Sequence, residues 1–438
     1  MSSSKPNLGF LTLGVVIGGI IEQYDFLVTG TVASLVWPHV FFGPGTSLAK
    51  AVFTSVSIYG LGLIIRPVGG YVWGHVGDKL GRRNALMLAL IVMGLGTLGM
   101  GLTPAYTVIG SYGLVLLSVF RLVQGFSFGG EFGGAATWLV EAAAKTGRRG
   151  FWGSWVGQTL PLGILAGSGA FLAVSLTLPT AQVYSYGWRI LFYIGFAAAV
   201  VGVIIRLRLE ESPLFKEVEE KRQILSYPAS RVWREKITTI LHLSMLNAGI
   251  GAAFWLSQVF GISYMTLNHI SSVGATLTNL AAAAVAMIFM FLGGILSDNI
   301  GRKWVIFAGM IFMVLLAYPY VLAIGSGYYP LALGMQIAFF SLTVGLAYPA
   351  QPAFFAEHFP TKYRASGVNA AYQISQVYGG GLAPILATYV NQALGGAKHA
   401  WPYLVALIIA YGVIALVGVL TLRETKDVRL EEVGVVGQ

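Results

Sequence analysis

The decapeptide GHVGDKLGRR at residues 74–83 stands between two long apolar stretches and places one carboxylate and three cations within six positions. A turn this short and this charged, between segments that lipid can accommodate, predicts a loop at a membrane surface. The same frame returns as GILSDNIGRK at residues 294–303. Because the two copies stand about half a chain apart, the repeat predicts two related halves, as in transporters built from internal repeats.

Composition supports a membrane-embedded chain. Of the 438 residues, 56% are hydrophobic and 10% are charged, whereas soluble domains carry about 25% charged residues. The sequence has no cysteine, and its histidines His242 and His269 are isolated, so no metal site is expected. It also lacks the glycine-rich lysine loop that cradles nucleotide phosphates. We therefore expect no cofactor and no ATP-driven chemistry.

Twelve apolar stretches are long enough to cross a bilayer, which takes about 20 residues. They begin near Leu8, Ala51, Asn84, Tyr112, Phe151, Tyr186, Ile237, Ser271, Trp304, Tyr329, Ala365 and His399. The predicted fold is an all-α membrane protein of twelve transmembrane helices in two pseudo-symmetric six-helix bundles. We expect the first bundle at residues 1–205, a cytoplasmic linker at 206–236, the second bundle at 237–423 and a cytoplasmic tail at 424–438.

The cations predict the orientation. With the N-terminus in the cytoplasm, most of the 27 Lys and Arg residues fall in cytoplasmic segments, and the exceptions are Lys50, Arg66, Arg121, Arg189 and Lys398. Cytoplasmic loops of membrane proteins carry such an excess. The sequence therefore predicts a multi-pass protein of the inner or plasma membrane with both termini in the cytoplasm. The net charge of +10 is assigned to topology, and no nucleic-acid partner is expected.

Several motifs resemble known families. The charged turn, with Gly74, Asp78, Lys79, Gly81, Arg82 and Arg83, looks like the signature loop of the major facilitator superfamily. More specific pieces resemble its metabolite:proton symporters: EQYDF at 22–26, RPVGG at 66–70, RLVQGFS at 121–127, GGE at 129–131, GWR at 187–189, EESP at 210–213, FPTKYRASG at 359–367 and GGGLAP at 379–384. Such relatives carry shikimate, 2-oxoglutarate, citrate, or proline and betaine together with protons.

Two departures from that family pattern matter. Gln23 stands where the family usually has tryptophan, beside the expected site, so the solute need not be one of the familiar ones. Asn299 replaces the first basic residue of the second turn, which is expected to weaken that turn as a gate relative to the first.

The two charged turns are predicted to act as latches. Asp78 is expected to contact Arg82 and Arg83, with Glu141 in reach of the same arginines, because carboxylate–guanidinium contacts are strong where water is scarce. The second turn is expected to pair Asp298, Arg302 and Lys303 with Glu357 in the same way. The plainer alternative is that these charges only fix topology.

Charges inside the spans are the next signal. The carboxylates are Glu22, Asp25 and Glu131 and the cations are Arg66 and Arg121, all in the first half. Ionisable groups at this depth are costly and usually functional. We expect Asp25 to be the proton-coupling carboxylate, with Glu22 and Glu131 as second candidates, in a mid-depth chamber shared with the solute. The alternative is that the charges are permanently paired struts.

The expected solute site combines these arginines with neighbouring polar and aromatic side chains. Its predicted members are Arg66, Arg121, Gln23, Tyr24, Gln124, Trp255, Gln258, Tyr372, Gln373 and Gln376. Arg66 either clamps a solute carboxylate or pairs with Glu131. The second half has no charge at equivalent depth, and its further amide and aromatic candidates are Asn247, Tyr264, Asn279, Gln336, Tyr348, Gln351 and Asn369.

These observations predict a monomeric, proton-coupled symporter of a small organic carboxylate or zwitterion, whose partners are the solute, the proton and the bilayer. Proton-independent facilitated diffusion or exchange is one alternative, and symport of a cationic solute is another. A sensor that shares the fold would need a signalling domain, and an enzyme would need an acid–base or metal constellation. Neither is visible in the sequence, so the protein is not expected to be an enzyme.

Overall fold

The computed structural model describes residues 8–80, 82–208, 228–360 and 363–430. Within these ranges the description leaves out the side chains of residues 10, 11, 74–86, 131, 145, 205, 206, 208, 228 and 229. The described chain is helical, with no strand, and it crosses the molecule twelve times.

The twelve spans, several of them in two parts, are labelled in chain order. They are α1 (Leu8–Leu35), α2 (Leu48–Ile64 and Arg66–Leu80), α3 (Arg82–Leu102), α4 (Tyr112–Ser127 and Glu131–Ala142), α5 (Arg149–Thr177), α6 (Trp188–Arg208), α7 (Pro228–Trp255 and Gly261–Leu267), α8 (Ser272–Ile300), α9 (Arg302–Gly325), α10 (Tyr329–Phe340 and Gln351–Ala356), α11 (Arg364–Ser375 and Ala383–Ala393) and α12 (Ala397–Thr421). Short helices at Trp37–Val40, Tyr106–Ile109 and Thr180–Gln182 lie in the connections.

Length and apolarity explain why these segments are membrane helices. Within the described residues, ten helices are long and apolar enough to cross a bilayer. In α3 the described side chains cover Met87–Leu102, and α11 is divided. Large apolar side chains such as Val115, Leu315 and Leu420 are exposed on the outer surface, where lipid can cover them. The predicted fold of twelve helices in two bundles is confirmed.

Several spans are interrupted near the middle of the molecule by helical turns that are tighter or wider than an α-helix. The two parts of α4 are joined by a 3₁₀ turn at Phe128–Gly130. Wider π-helical turns join the parts of α7 at Leu256–Phe260 and of α11 at Gln376–Leu382. Such turns re-aim side chains and often lie at functional sites, and here they flank the space between the bundles.

The first bundle comprises α1–α6 and the second comprises α7–α12. They meet where α5 packs against α8, where α1 packs against α7, and where α2 and α4 pack against α11. The end of the molecule that holds Glu141, Arg149, Asp298, Glu357 and Arg364 is called the charged end below. The other end, with the connections α1–α2, α3–α4 and α5–α6, is called the opposite end.

The domain boundaries expected from the sequence stay predictions. The described helix α7 begins at Pro228, within the predicted linker, and Lys236 interrupts it with non-helical backbone angles (φ −133°, ψ 24°). A short helix therefore precedes the membrane part of α7.

Candidate functional site

A small chamber lies between the two bundles, near the middle of the spans. It encloses about 20 Å³ of free volume, room for about one water molecule, so the chamber is nearly closed in this conformation. The residues that line it are Gln23, Arg66, Leu160, Asn247, Ile250, Gly251, Phe254, Trp255, Tyr348, Tyr372 and Gln376. Both bundles contribute to the wall, so a solute in the chamber would contact both halves.

Arg66 is the charged residue on this wall among the described side chains. It begins the second part of α2 and is 4% exposed. Its guanidinium carbon lies 4.1 Å from the ring centre of Phe26 and 5.2 Å from that of Phe128. The buried Nε has no hydrogen-bond partner. Among the described side chains no carboxylate forms an ion pair with Arg66, and an unpaired buried guanidinium is costly, so Arg66 is suited to receive an anion.

Asp25 lies behind the chamber wall, between α1, α3 and α4, and is 1% exposed. The hydroxyl of Thr97 lies 2.8 Å from each of its carboxylate oxygens and donates to them. The side-chain Nε2 of Gln124 also donates to Asp25. Neutral donors therefore satisfy the carboxylate, and no described cation contacts it directly.

Arg121 is fully buried on α4 and reaches Asp25 through Gln124. Its NH1 donates to Oε1 of Gln124, and its Nε donates to the backbone oxygen of Tyr59 at 2.9 Å. Its guanidinium carbon lies 4.0 Å from the ring centre of Phe26. The Phe26 ring thus contacts both Arg121 and Arg66. The NH2 of Arg121 has no hydrogen-bond partner.

Two glycines allow this arrangement. A Cβ atom at Gly125 on α4 would collide with the backbone of Gly62 on α2, and a Cβ at Gly62 would collide with the Arg121 guanidinium. Small residues at such positions let membrane helices approach closely. The close approach of α2 and α4 brings the Tyr59 oxygen within reach of Arg121.

The second half supplies the aromatic and amide side of the chamber. The indole Nε1 of Trp255 donates to Oε1 of Gln376 at 3.2 Å. The hydroxyls of Tyr348 and Tyr372 are 3.5 Å apart, and the Tyr372 ring stacks on Phe132 of the first half with centres 3.7 Å apart. These side chains offer ring faces and hydrogen-bonding groups to a polar organic solute.

Among the predicted solute-binding residues, five line the chamber. They are Gln23, Arg66, Trp255, Tyr372 and Gln376. Arg121 and Gln124 lie behind the residues that line the chamber. The fold therefore brings Asp25 and Arg121 close to each other, but neither lines the chamber.

The other three predicted solute-binding residues contact neighbouring helices. The Tyr24 hydroxyl donates to the backbone oxygen of Leu191 on α6 at 3.0 Å. The Gln373 Nε2 donates to the Gly129 oxygen of the first half at 2.9 Å. Gln258 is 2% exposed and lies among buried polar groups of the second half.

The two secondary proton candidates are described to different extents. Glu22 interacts electrostatically with the hydroxyls of Tyr348 and Tyr372, which line the chamber. The side chain of Glu131 lies outside the described residues, so its expected pairing with Arg66 stays a prediction.

At the charged end, Asp298 of the second turn contacts the first half. Its two carboxylate oxygens accept hydrogen bonds from the backbone N–H groups of Gly150 and Phe151, each at 2.8 Å. These groups belong to the first turn of α5, where helical N–H groups lack internal partners and a negative charge is stabilising. Asp298 therefore caps a helix of the other bundle.

Glu357 is the centre of the ion pairs at this end. Its carboxylate lies 3.1 Å from Nε of Arg149 on the first half and 3.4 Å from the Arg302 side chain on the second. The Thr425 hydroxyl donates to it at 2.6 Å. Burial raises the pKa of Glu357 to about 7, against the opposing effect of the two arginines. The predicted pairing of Arg302 with Glu357 is present in the structure and extends across the bundles.

Lys303, the other cation expected in this cluster, is directed elsewhere. Its Nζ donates to the backbone oxygens of Leu420 and Leu422, at 3.0 and 2.8 Å, at the end of α12. It therefore holds α12 against α9 and takes no described part in the pairing with Glu357.

The first turn is described less fully. The side chains of Asp78, Lys79, Arg82 and Arg83 lie outside the described residues. The expected roles of these residues and of Gly74 and Gly81 in the first latch therefore stay predictions. Glu141, which was expected to reach Arg82 and Arg83, forms an ion pair with Arg364 of the second half at 2.5 Å. The described contact therefore runs between the bundles.

Several contributors were not predicted. Thr97, Arg149 and Arg364 act across helices that lie far apart in the sequence. Arg364 lies within the FPTKYRASG motif, but the sequence did not indicate its partner. Glu424 could have been suspected as an acid shortly after the last span: it accepts hydrogen bonds from the backbone N–H groups of Arg302 and Lys303 at 3.0 and 2.9 Å, at the start of α9.

Comparisons with known proteins agree with this architecture. Residues 11–235 match the family model described as sugar (and other) transporter, and residues 245–435 match that of the major facilitator superfamily. The structure of the proton:xylose symporter XylE of Escherichia coli superposes with a TM-score of 0.77 at 18% identity, covering 98% of this chain and 99% of that one. That likeness concerns the fold.

Relatives in sequence include several transporters. The inner membrane metabolite transport protein YhjE of Escherichia coli is 30% identical, over 90% of this chain and 92% of its own. The shikimate transporter of Escherichia coli is 30% identical, over 91% and 93%. The citrate-proton symporter of Klebsiella pneumoniae is 28% identical, over 87% and 85%. The chain therefore belongs to the major facilitator superfamily, as a multi-pass membrane transporter and not an enzyme.

Proposed function

We propose that the chain is a proton-coupled symporter that takes up a small organic carboxylate or zwitterion by alternating access. The observation that carries this proposal is the buried carboxylate of Asp25, joined through Gln124 to Arg121, whose guanidinium contacts the same Phe26 ring as Arg66 of the chamber wall. Ionisable groups at this depth are costly and mark ion and solute pathways.

Asp25 is the group proposed to carry the proton, with Glu22 and Glu131 as second candidates. Its ionised form is held by Thr97 and Gln124 in a site closed to water. The proton affinity of a carboxyl depends on its hydration and on nearby charges. A conformational change that hydrates Asp25 or moves it relative to Arg121 would therefore change its protonation.

Arg66 is the proposed anchor for the solute. Its guanidinium can receive a carboxylate through two parallel hydrogen bonds, while Trp255 and Tyr372 offer ring faces and Gln376 an amide. Shikimate and citrate, which appear in the names of relatives, are carboxylates, and this agreement supports an anionic solute. A cation would meet the positive charge of Arg66.

Contacts at both ends support alternating access through a closed intermediate. At the opposite end, the Ser34 hydroxyl donates to the Val259 oxygen across the bundles at 3.3 Å. At the charged end, Asp298 and Glu357 contact α5. Each set must separate for the chamber to open on its side. We further propose that the charged end faces the cytoplasm of an inner or plasma membrane, as the distribution of cations indicates.

The solute can be sought by thermal shift. Purified protein is screened at two pH values against organic acids, amino acids and betaines. A solute that raises the melting temperature of the wild type and not that of Arg66→Ala is carried into transport assays. Stabilisation by cationic amines alone would contradict an anionic solute.

Coupling is tested with Asp25→Asn in proteoliposomes. The variant is expected to lose uphill uptake driven by a proton gradient and to retain counterflow of the same solute without a gradient, because the unchargeable side chain still permits the conformational change. Equal uphill uptake by both proteins would reject Asp25 as the coupling group. Wild-type uptake that never exceeds equilibrium under a proton gradient would favour a facilitator or exchanger.

A further inference from the structure

The amide of Gln124 lies between two groups of opposite hydrogen-bonding character. An ionised carboxylate only accepts hydrogen bonds, and a guanidinium only donates them. Gln124 matches both, because its Nε2 donates to Asp25 and its Oε1 accepts from NH1 of Arg121. While Asp25 is ionised, the amide therefore has one orientation that satisfies both neighbours.

Protonation of Asp25 removes that constraint. The protonated carboxyl carries an O–H donor, and the network offers it two acceptors, Oγ1 of Thr97 and Oε1 of Gln124. If the Asp25 O–H donates to Oε1, the amide turns over and its NH2 group faces Arg121, which has only donors. NH1 of Arg121 then loses its acceptor, and NH2 of Arg121 already lacks one.

We propose that Gln124 is the positioning residue that couples the proton to the solute: it holds Arg121 while Asp25 is ionised and releases it when Asp25 is protonated. The released guanidinium lies against Phe26, whose ring also contacts Arg66. A carboxylate at Arg66 is then attracted by a second cation that lacks a partner. Proton and anion thereby favour each other's binding. This inference rests on the proposed function.

Among the groups that donate to Asp25, the amide of Gln124 is the one that also contacts Arg121. The titratable and polar groups that face Asp25 are Thr97 of α3, Gln124 and Arg121 of α4 and, on its own helix, Tyr24. From α6 the backbone of Gly195 approaches the carboxylate, and α5 has no titratable side chain after Arg149. If the Asp25 O–H instead donates to Thr97, the Thr97 hydroxyl turns to the Met93 oxygen and Arg121 is not involved, so the carboxyl would titrate without an arginine response.

Infrared difference spectroscopy tests the switch without a solute. The full-length protein, with ¹⁵N-labelled arginine, is titrated in lipid nanodiscs, and Asp25→Asn identifies the carboxyl band of Asp25. In the wild type, the appearance of the protonated carboxyl band is expected to coincide with a shift of an arginine band that Arg121→Lys removes. In Gln124→Met, which is similar in size and has no amide, the carboxyl band still titrates and the arginine shift is lost.

A matched control separates the relay from the general loss of a buried amide. Gln336 in the second half is also a buried amide with donor and acceptor contacts, so Gln336→Met is expected to leave the arginine shift at wild-type size. An undiminished arginine shift in Gln124→Met would overturn the relay. So would a wild-type carboxyl that titrates with no arginine response.

Transport measurements distinguish failure of the relay from failure of the symport proposal. For a solute found by thermal shift, the affinity of the wild type is expected to rise at least about tenfold as Asp25 becomes protonated. The affinity of Gln124→Met is expected to rise less than about twofold. Coupled uptake that keeps its wild-type pH profile in Gln124→Met leaves symport standing and rejects the relay. An arginine response without any uphill transport leaves the relay standing and rejects symport.

Discussion

The two halves of the molecule hold different polar networks at similar depth. In the first, Asp25 and Arg121 are bridged by Gln124 between α1 and α4. In the second, the amide of Gln336 on α10 donates to Asn279 on α8 at 2.9 Å and accepts from the hydroxyl of Tyr320 on α9 at 2.8 Å. Both networks tie helices together, but the second is built from neutral side chains.

This difference suggests a division of labour. A neutral, satisfied network has one arrangement and stabilises a bundle, as buried hydrogen bonds between spans do. A network that contains a carboxylate and a guanidinium has a second arrangement available after one proton is bound. The first half is therefore suited to respond to the proton, and the second to provide a fixed surface for the solute.

The largest expected effect is on solute affinity, and it compares one chamber-lining residue of each half, Arg66 and Gln376. Arg66→Ala is expected to weaken solute binding about a hundredfold, because it removes the cation of a buried charge pair. Gln376→Ala is expected to weaken binding about fivefold, the effect of one neutral hydrogen bond. Binding is measured by thermal shift or calorimetry with the solute identified in the screen.

Arg66→Lys sharpens that comparison. It keeps the charge and loses the planar fork of the guanidinium, so its affinity is expected to fall between those of Arg66→Ala and the wild type. If Arg66→Ala and Gln376→Ala have equal effects, the charged anchor has no special role.

A smaller effect is expected at the charged end, where the second half provides the carboxylates. Asp298→Ala removes the acceptor of two backbone N–H groups of α5, at a cost of about 0.5–2 kcal/mol for a lost helix cap. The chamber should then open more often at that end. Because the sequence has no cysteine, a single Ile250→Cys on the chamber wall can report opening by its rate of thiol labelling.

The labelling rate from the charged end is expected to rise up to about tenfold in Asp298→Ala. Asp298→Asn, which keeps an acceptor oxygen, is the matched control, and its labelling rate should rise less. An unchanged rate in Asp298→Ala would mean that the cap does not hold the two bundles together.

A pH effect of a few-fold is expected from Glu357. Burial in the closed charged end raises its pKa from 4.5 to about 7, whereas a hydrated carboxyl in the open form would have its ordinary value. The closed form therefore binds the proton more tightly, and lowering the pH from about 7 towards 4.5 favours closure. That contribution is lost as the pH rises through about 7.

The same Ile250→Cys reporter tests the predicted direction of this pH effect on closure of the charged end. Labelling from the charged end is expected to slow as the pH falls through about 7, and Glu357→Gln, which cannot titrate, should flatten that dependence. Faster labelling at low pH in the parent protein, abolished by Glu357→Gln, would reverse the assigned sign.

The smallest effect on coupling is expected for the second-half network. Gln336→Met removes the donor to Oδ1 of Asn279 and the acceptor of the Tyr320 hydroxyl and should lower stability by about 1–3 kcal/mol, measured by thermal unfolding in detergent. The ratio of protons to solute should not change. A changed ratio would contradict the division of labour between the halves.

The sequence predicted the fold well because the fold depends on local signals. The repeated charged turn and the apolar lengths gave twelve spans, and α4 and α10 begin at the predicted residues Tyr112 and Tyr329. Helix length and turn charge are properties of contiguous residues, so no knowledge of packing is needed to read them.

The site was predicted in part, because its geometry depends on which helix each side chain meets. Gln23, Tyr24 and Asp25 are consecutive, yet they face the chamber, α6 and the α3–α4 pair respectively. Successive helical residues point about 100° apart, and the sequence does not say which neighbour lies in each direction. Charge marked Asp25 and Arg121, whereas the bridging role of Gln124 required the packing of α1 against α4.

Proton flux driven by the solute tests the central claim most directly. Liposomes that contain a pH-sensitive dye receive an inward solute gradient at equal internal and external pH. The wild type is expected to acidify the lumen as solute enters, and Asp25→Asn to admit solute in counterflow without acidification. Acidification by Asp25→Asn at the wild-type rate would show that the proton travels on another group.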